Sequence, residues 1–367
     1  MPDLFIGLMS GTSLDGVDGV LVNFANGGMQ VVAFESQPFT EEDKAELLAL
    51  NTSSEDELHR AALSANALAV LYSDVVHQLM FLADTSTDQV KAIGAHGQTV
   101  RHRPGEFDGI GYTLQLNNPA LLAELTEITV VADFRSRDVA AGGQGAPLVP
   151  AFHSQVFGRA DEAVAVLNIG GISNLSLLEG QILGFDCGPG NALMDYWCQL
   201  HTGQPFDADG AWAASGKVQA ALLADLLDEP YLAKAPPKST GRDLFNPPWL
   251  AAKLQGFAGL DPVDVQATLT ELTASAIANC VSSYGKNSKL LIVCGGGALN
   301  GYLMQRLQTL LPEVQVQSSA AHGLPPLQVE AAAFAWLARQ TLLGLPGNLA
   351  SVTGARGERV LGAVYPA

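Results

Sequence analysis

The feature that most constrains this chain is a strand–turn–strand unit that occurs once in each half. In the first, the apolar run 4–10 meets the polar turn Gly11-Thr-Ser-Leu-Asp15, and a second apolar run, 16–24, follows at once. In the second, the run 163–169 meets Gly170-Gly171, and 172–178 follows. Each unit continues into a further strand-like stretch, 31–34 and 182–185. Two apolar runs across a Gly-rich turn read as a β-hairpin, so each half starts with a β-meander. A pattern repeated in this way predicts an internally duplicated, two-lobed protein.

Length supports that reading, because 367 residues exceed what one core usually organises. We place the first lobe at 1–133 and the second at 134–344, with the tail from about 345 to 367 returning to the first lobe. Helical periodicity is expected over 41–50, 56–82 and 263–283, and strands over 91–95, 130–134 and 289–293. Strands alternate with helices, which defines an α/β class. No apolar run was expected to reach the roughly 18 residues that a membrane helix needs. The N-terminus lacks the basic region and cleavage site of a signal peptide. The four cysteines, Cys187, Cys198, Cys280 and Cys294, form no C-x-x-C pair and read as reduced thiols of a cytoplasmic protein. With 19 basic against 37 acidic residues, the net charge of −18 argues against nucleic acid or an anionic membrane as partner.

Three Gly-rich turns carry the candidate chemistry. In Gly11-Thr12-Ser13-Leu14-Asp15-Gly16-Val17-Asp18, main-chain amides and hydroxyls can hold phosphate oxygens, and Asp15 and Asp18 can hold Mg²⁺ directly or through water. Asn168-Ile-Gly170-Gly171-Ile-Ser-Asn174 is the second turn. Gly295-Gly296-Gly297 with Asn300, at a strand end, is the third and suits a ribose or ring against the main chain. Taken singly, the first turn reads equally well as a tight structural turn and the third more often as one; their order is the informative part. The P-loop pattern is absent.

That order resembles the actin, hexokinase and heat-shock ATPase superfamily. More narrowly, the chain resembles the anhydro-N-acetylmuramic acid kinase family. The resemblance rests on Gly7-Leu-Met-Ser-Gly-Thr-Ser-Leu-Asp-Gly-Val-Asp18, His96-Gly-Gln-Thr99, Ala132-Asp-Phe-Arg135, Asn168 to Asn174, Phe185-Asp-Cys-Gly-Pro-Gly-Asn191, Pro236-Pro-Lys-Ser-Thr-Gly-Arg242 and Glu330-Ala-Ala-Ala-Phe-Ala335. These strings run in family order along essentially the whole chain. Cys187 departs from a Thr common in the family, beside the key carboxylate.

The resemblance implies a duplicated two-lobed actin/hexokinase-like (ribonuclease H-like) fold with a nucleotide cleft between the lobes, and a homodimer. It implies a kinase that uses ATP and Mg²⁺ to open the 1,6-anhydro bond of 1,6-anhydro-N-acetylmuramic acid and phosphorylate the 6-oxygen, in peptidoglycan recycling. Asp186 is then the general base for the attacking water, much as in inverting glycosidases. Gln98, Thr99, Arg135 and Glu330 join it around the sugar, with Arg135 suited to the lactyl carboxylate. His96 reads equally as a structural histidine or a substrate contact, and Lys238, Ser239 and Arg242 as a solvated loop or subunit contact, with a direct phosphate or substrate contact as the other reading. Another sugar kinase or ATPase of the superfamily is the alternative. A glycosidase working without ATP would leave the three turns without purpose.

Overall fold

The computed structural model describes residues 2–241 and 244–367, so Arg242 of the Pro236 loop lies outside the described residues. The chain forms two compact units, residues 1–156 with 328–367, and residues 157–327. The boundaries at 156/157 and 327/328 differ from the expected 133/134 and 344. Residues 134–156 and the helix Val329–Leu342 belong with the first unit.

The first unit holds β1 (Leu4–Ser10), β2 (Gly16–Asn23), β3 (Gln30–Pro38), β4 (Val90–Pro104), β5 (Gly111–Leu116) and β6 (Val130–Ala132). The second holds β7 (Val164–Ile169), β8 (Ile172–Leu177), β9 (Leu183–Pro189), β10 (Leu290–Cys294) and β11 (Gln315–Ser318). The last strand, β12 (Ala363–Tyr365), pairs antiparallel with β6, so the tail completes the first sheet. The first sheet runs β12-β6-β4-β1-β2-β3, with β5 on β4, and the second runs β11-β10-β7-β8-β9. In both, an antiparallel meander carries two parallel strands beside its first strand. The duplication expected from the two hairpins is therefore present in strand order and in strand direction, and the fold is the actin/hexokinase-like α/β class.

Glycines set how closely the helices approach the first sheet. A Cβ at Gly7 would lie 1.9 Å from the carbonyl oxygen of Ala331, and one at Gly94 would lie 2.0 Å from that of Phe334. Only a bare Cα therefore lets the helix Val329–Leu342 rest on β1 and β4. On the opposite face Ile6 and Leu8 join Tyr72, Val75, Val76 and Leu79 of the helix Glu57–Leu82 in one buried cluster. The alternation of neighbouring residues along β1 puts these two helices on opposite faces. By length and composition, Glu57–Leu82 is apolar enough to cross a membrane, contrary to the sequence expectation. Its fully buried residues are those packed against the sheet.

In the second unit the helix Pro262–Tyr284 starts with Pro at its first turn and Asp261 accepting from the N–H of Val263. Its middle is buried nearly all round, as Leu269, Leu272 and Ile277 pack with Leu167, Leu175 and Phe185 of the sheet.

Candidate functional site

The first unit gathers its candidate residues around the end of β1. The 11–15 segment turns tightly: Leu14 has a positive φ of 60° and donates its N–H to the carbonyl of Gly11. Leu14 is itself buried, which anchors the turn from within. Gly16 sits where a Cβ would come within 2.3 Å of the Gln37 carbonyl, so the strand pair β2–β3 requires glycine there. Ser10 is held from three sides: its hydroxyl meets Tyr72 Oη and donates to the Gly97 carbonyl, and its own carbonyl meets Nδ1 of His96 at 3.1 Å.

Asp18 lies on β2 opposite Ser36, whose hydroxyl donates to Oδ1 at 2.7 Å. Burial pushes the Asp18 carboxyl up, Ser36 opposes that, and Asp15 reinforces it. Among the described residues no group of three or more His, Cys, Asp and Glu side chains is placed to hold a metal. Asp15 and Asp18 nonetheless suit Mg²⁺, which uses one or two carboxylates beside water and phosphate oxygens.

β4 continues past Ala95 into His96-Gly97-Gln98-Thr99, and Gly97 has a φ of 79° that turns this segment over the end of β5. Gln98 is buried and donates Nε2 to the Gly11 carbonyl, while its Oε1 has no partner. Thr99 Oγ1 accepts from Gln115. Asn117, next to Gly97 in space, has both side-chain polar atoms buried and unpartnered. An unsatisfied buried amide costs about 1–3 kcal/mol, so such groups mark places where a polar ligand or water belongs. Sequence reasoning passed over Asn117 because no motif contains it.

β6 ends at Ala132, two residues earlier than expected, and Asp133, at a φ of 58°, turns the chain so that Arg135 begins the helix Ser136–Ala140. Arg135 donates Nε and Nη2 to Nε2 of His96, and Nη1 to the Gly145 carbonyl. Burial lowers the guanidinium to about 10, against the opposing charges of Glu330 and Asp138. Glu330 stands in the first turn of the helix Val329–Leu342, where an acidic residue also complements the helix dipole. Thus Gln98, Arg135 and Glu330 all lie on the first unit's own elements.

In the second unit β9 carries Asp186. Its N–H donates to the Lys238 carbonyl, its carbonyl accepts from Tyr231 Oη, and its Oδ2 accepts from the N–H of Thr240. Burial raises the Asp186 carboxyl to about 6, opposed by the Thr240 hydrogen bond and by the charge of Lys238. Lys238 is itself buried, with Nζ donating to the Leu232 carbonyl and lying 5.0 Å from the Tyr231 ring centroid.

The other two Gly-rich turns are built on one another. Asn191 donates its N–H to the Gly170 carbonyl and Nδ2 to that of Ile169, and Gly190 donates to Gly171. Gly295 has a φ of 77°, and a Cβ there would lie 2.3 Å from Oδ1 of Asn168. A Cβ on Gly297 would lie 2.3 Å from Cγ2 of Ile169. Asn300 caps the helix Gly301–Leu310 by accepting from the N–H of Leu303, which places that helix terminus beside the glycines.

Two sheets of this order, each with its Gly-rich hairpin turn, define a protein of the actin/hexokinase-like class. A family model, Anhydro-N-acetylmuramic acid kinase, matches residues 3–367. An anhydro-N-acetylmuramic acid kinase of Variovorax paradoxus (strain S110) is 69% identical over 372 residues, covering 100% of this chain and 99% of that one. The kinase of the same name from Albidiferax ferrireducens (strain ATCC BAA-621 / DSM 15236 / T118) is 63% identical over 389 residues, covering 100% of both. Among solved structures, a ROK family glucokinase from Streptomyces griseus in complex with glucose and AMPPNP aligns at 15% identity. It covers 92% of this chain and 99% of that chain, with a TM-score of 0.42. The chain belongs to the anhydro-N-acetylmuramic acid kinase family.

Proposed function

We propose that this protein is an ATP-dependent kinase that hydrolyses the 1,6-anhydro bond of 1,6-anhydro-N-acetylmuramic acid and phosphorylates the 6-oxygen, in peptidoglycan recycling. Its relatives across the whole chain carry that kinase name. The observation that carries the mechanism is Asp186: a carboxylate held by Thr240, with burial raising its basicity to about 6. A general base works best when its pKa lies near the operating pH. Asp186 takes a proton from water as the water oxygen bonds to the anomeric carbon. The bond from that carbon to the 6-oxygen breaks, and the 6-oxygen receives the γ-phosphoryl group of ATP. The products are N-acetylmuramic acid 6-phosphate and ADP.

Residues of the first unit bind and orient the sugar. Arg135 has three N–H groups committed to His96 and Gly145, which leaves one on each terminal nitrogen. Such a fork suits a carboxylate, and the lactyl group supplies one. Gln98, with Oε1 unpartnered, Thr99 and Glu330 accept from sugar hydroxyl or amide groups. Phosphate oxygens of ATP are assigned to the amides and hydroxyls of 11–18, with Asn168, Gly170 and Gly171; the nucleoside is assigned to Gly295, Gly296, Gly297 and Asn300. Asp15 and Asp18 are the residues that would hold Mg²⁺, which neutralises phosphate charge in such transfers.

The reaction is assigned to the cytoplasm, where ATP is supplied and where four buried cysteines that form no disulfide fit a reducing environment. The active form is proposed to be a homodimer, which light scattering on the eluting protein tests. Incubation of 1,6-anhydro-N-acetylmuramic acid with Mg·ATP should give a phosphorylated N-acetylmuramic acid and equimolar ADP by mass spectrometry. Failure to form any ATP-dependent sugar product would overturn the assignment.

A further inference from the structure

We propose that His96 is the positioning residue of Arg135, fixing which edge of the guanidinium faces a bound carboxylate. This inference rests on the assignment of Arg135 to the lactyl group and goes beyond it.

His96 is buried, and its two ring nitrogens have different partners. Nδ1 lies 3.1 Å from the carbonyl of Ser10, which only accepts, so Nδ1 carries the proton. Nε2 is then the lone-pair nitrogen, and it receives Nε of Arg135 at 3.2 Å and Nη2 at 2.9 Å. A guanidinium cannot accept a hydrogen bond, so an imidazole protonated on both nitrogens would face it with a donor and a like charge. Burial, with the charge of Arg135 adding to it, pushes the imidazole down to about 3, which keeps it neutral. The ring is also gripped by Phe334, whose centroid lies 4.7 Å away on the helix that carries Glu330.

The other side of the fork is fixed by a second chain of bonds. Gly145, whose carbonyl takes Nη1 of Arg135, donates its own N–H to Oδ2 of Asp138 at 2.8 Å. Asp138 is fully buried and accepts at Oδ1 from Asn348 and Thr353, so the tail of the chain braces this loop. His96 thus occupies the Nε–Nη2 edge of Arg135 and connects it to Ser10, at the mouth of the Gly11 turn. The sequence offered His96 as structural or as a substrate contact. The geometry favours a third role, in which it touches Arg135 and sets its orientation.

The test is a ratio of affinities, measured by calorimetry without ATP, for 1,6-anhydro-N-acetylmuramic acid and its lactyl amide. The amide keeps the shape and removes the charge. The folded fraction enters the fitted stoichiometry and leaves the ratio unaffected. The wild type should prefer the acid by about tenfold or more, as charge-assisted hydrogen bonds require, and Arg135→Leu should bring the ratio to about one. His96→Asn keeps a donor for Ser10 but has nothing at the Nε2 position, and should lower the ratio at least about fivefold. His96→Gln restores an acceptor near Nε2 and should hold the ratio within about twofold of wild type. A ratio untouched by His96→Asn, or lost equally in His96→Gln, overturns the positioning role while the assignment of Arg135 stands. A ratio untouched by Arg135→Leu overturns that assignment and the inference with it.

Discussion

Asp186 and Lys238 are joined main chain to main chain, the N–H of Asp186 donating to the Lys238 carbonyl at 3.1 Å. This one bond ties the middle of β9 to the loop after the Pro236–Pro237 pair, and it brings a buried ammonium into the surroundings of the proposed base. Burial raises the Asp186 carboxyl to about 6 and Lys238 holds it from rising further. The base works ionised, so kcat/KM should fall as pH drops through about 6. Lys238→Met should move that acid limb upward, with a pH–rate profile as the measurement. A limb that stays in place or moves down would remove Lys238 from the account.

The same burial has a cost in stability. A carboxyl whose folded pKa lies above its ordinary value of 3.8 contributes stability only while protonated. That contribution is complete below about pH 4 and is lost as pH rises through about 6. Asp186→Asn removes the penalty of a buried charge and should stabilise the protein at pH 7.5 by about 2–3 kcal/mol, while abolishing activity. Denaturant midpoints at pH 7.5 and pH 4 check this: the gain should be present at the first and absent at the second.

Gly7 is expected to be intolerant. Its added Cβ would meet the carbonyl of Ala331 at 1.9 Å and the amide nitrogen of Ala335 at 2.6 Å, both main chain and unable to swing away. Gly7→Ala should cost about 3 kcal/mol or prevent folding, at the upper end of overpacking effects. Gly27, with nothing within 4 Å of its Cβ position, makes a control, although its φ of 73° brings a smaller backbone strain. Thermal denaturation of both variants would separate the two effects.

Asp138 accepts from Gly145, Asn348 and Thr353 inside the first unit. Asp138→Ala would strand three donors, and should cost about 3–5 kcal/mol. Thr353→Val removes only one hydroxyl and should cost about 1 kcal/mol. Equal, small losses from the two would contradict the network.

Much of this architecture was readable from local pattern. The hairpins β1–β2 and β7–β8 and the long helices lie where period and turn chemistry placed them, whereas β4 and β9 run on past His96 and Asp186, which were expected at strand ends. What escaped was whatever depends on residues distant in sequence. Gly7 read only as one residue of the apolar strand 4–10 and of a family string, yet it serves packing against Ala331, more than 300 positions away. Asp138 gave no sign of Asn348 or Thr353, and the unit boundary moved for the same reason, since the helix Val329–Leu342 needs β1 and β4 to bury its inner face. His96 was ambiguous because a histidine's role is fixed by its two ring partners, and only coordinates supply those.

The most direct test of the proposed reaction follows oxygen. The protein and Asp186→Asn are each given 1,6-anhydro-N-acetylmuramic acid and Mg·ATP in ¹⁸O-labelled water, and the products are resolved by mass. The account predicts one label at the anomeric carbon of a phosphorylated N-acetylmuramic acid from the wild type, and no product from the variant. Phosphorylated product from Asp186→Asn at a rate near wild type would contradict the assignment of Asp186 as the base.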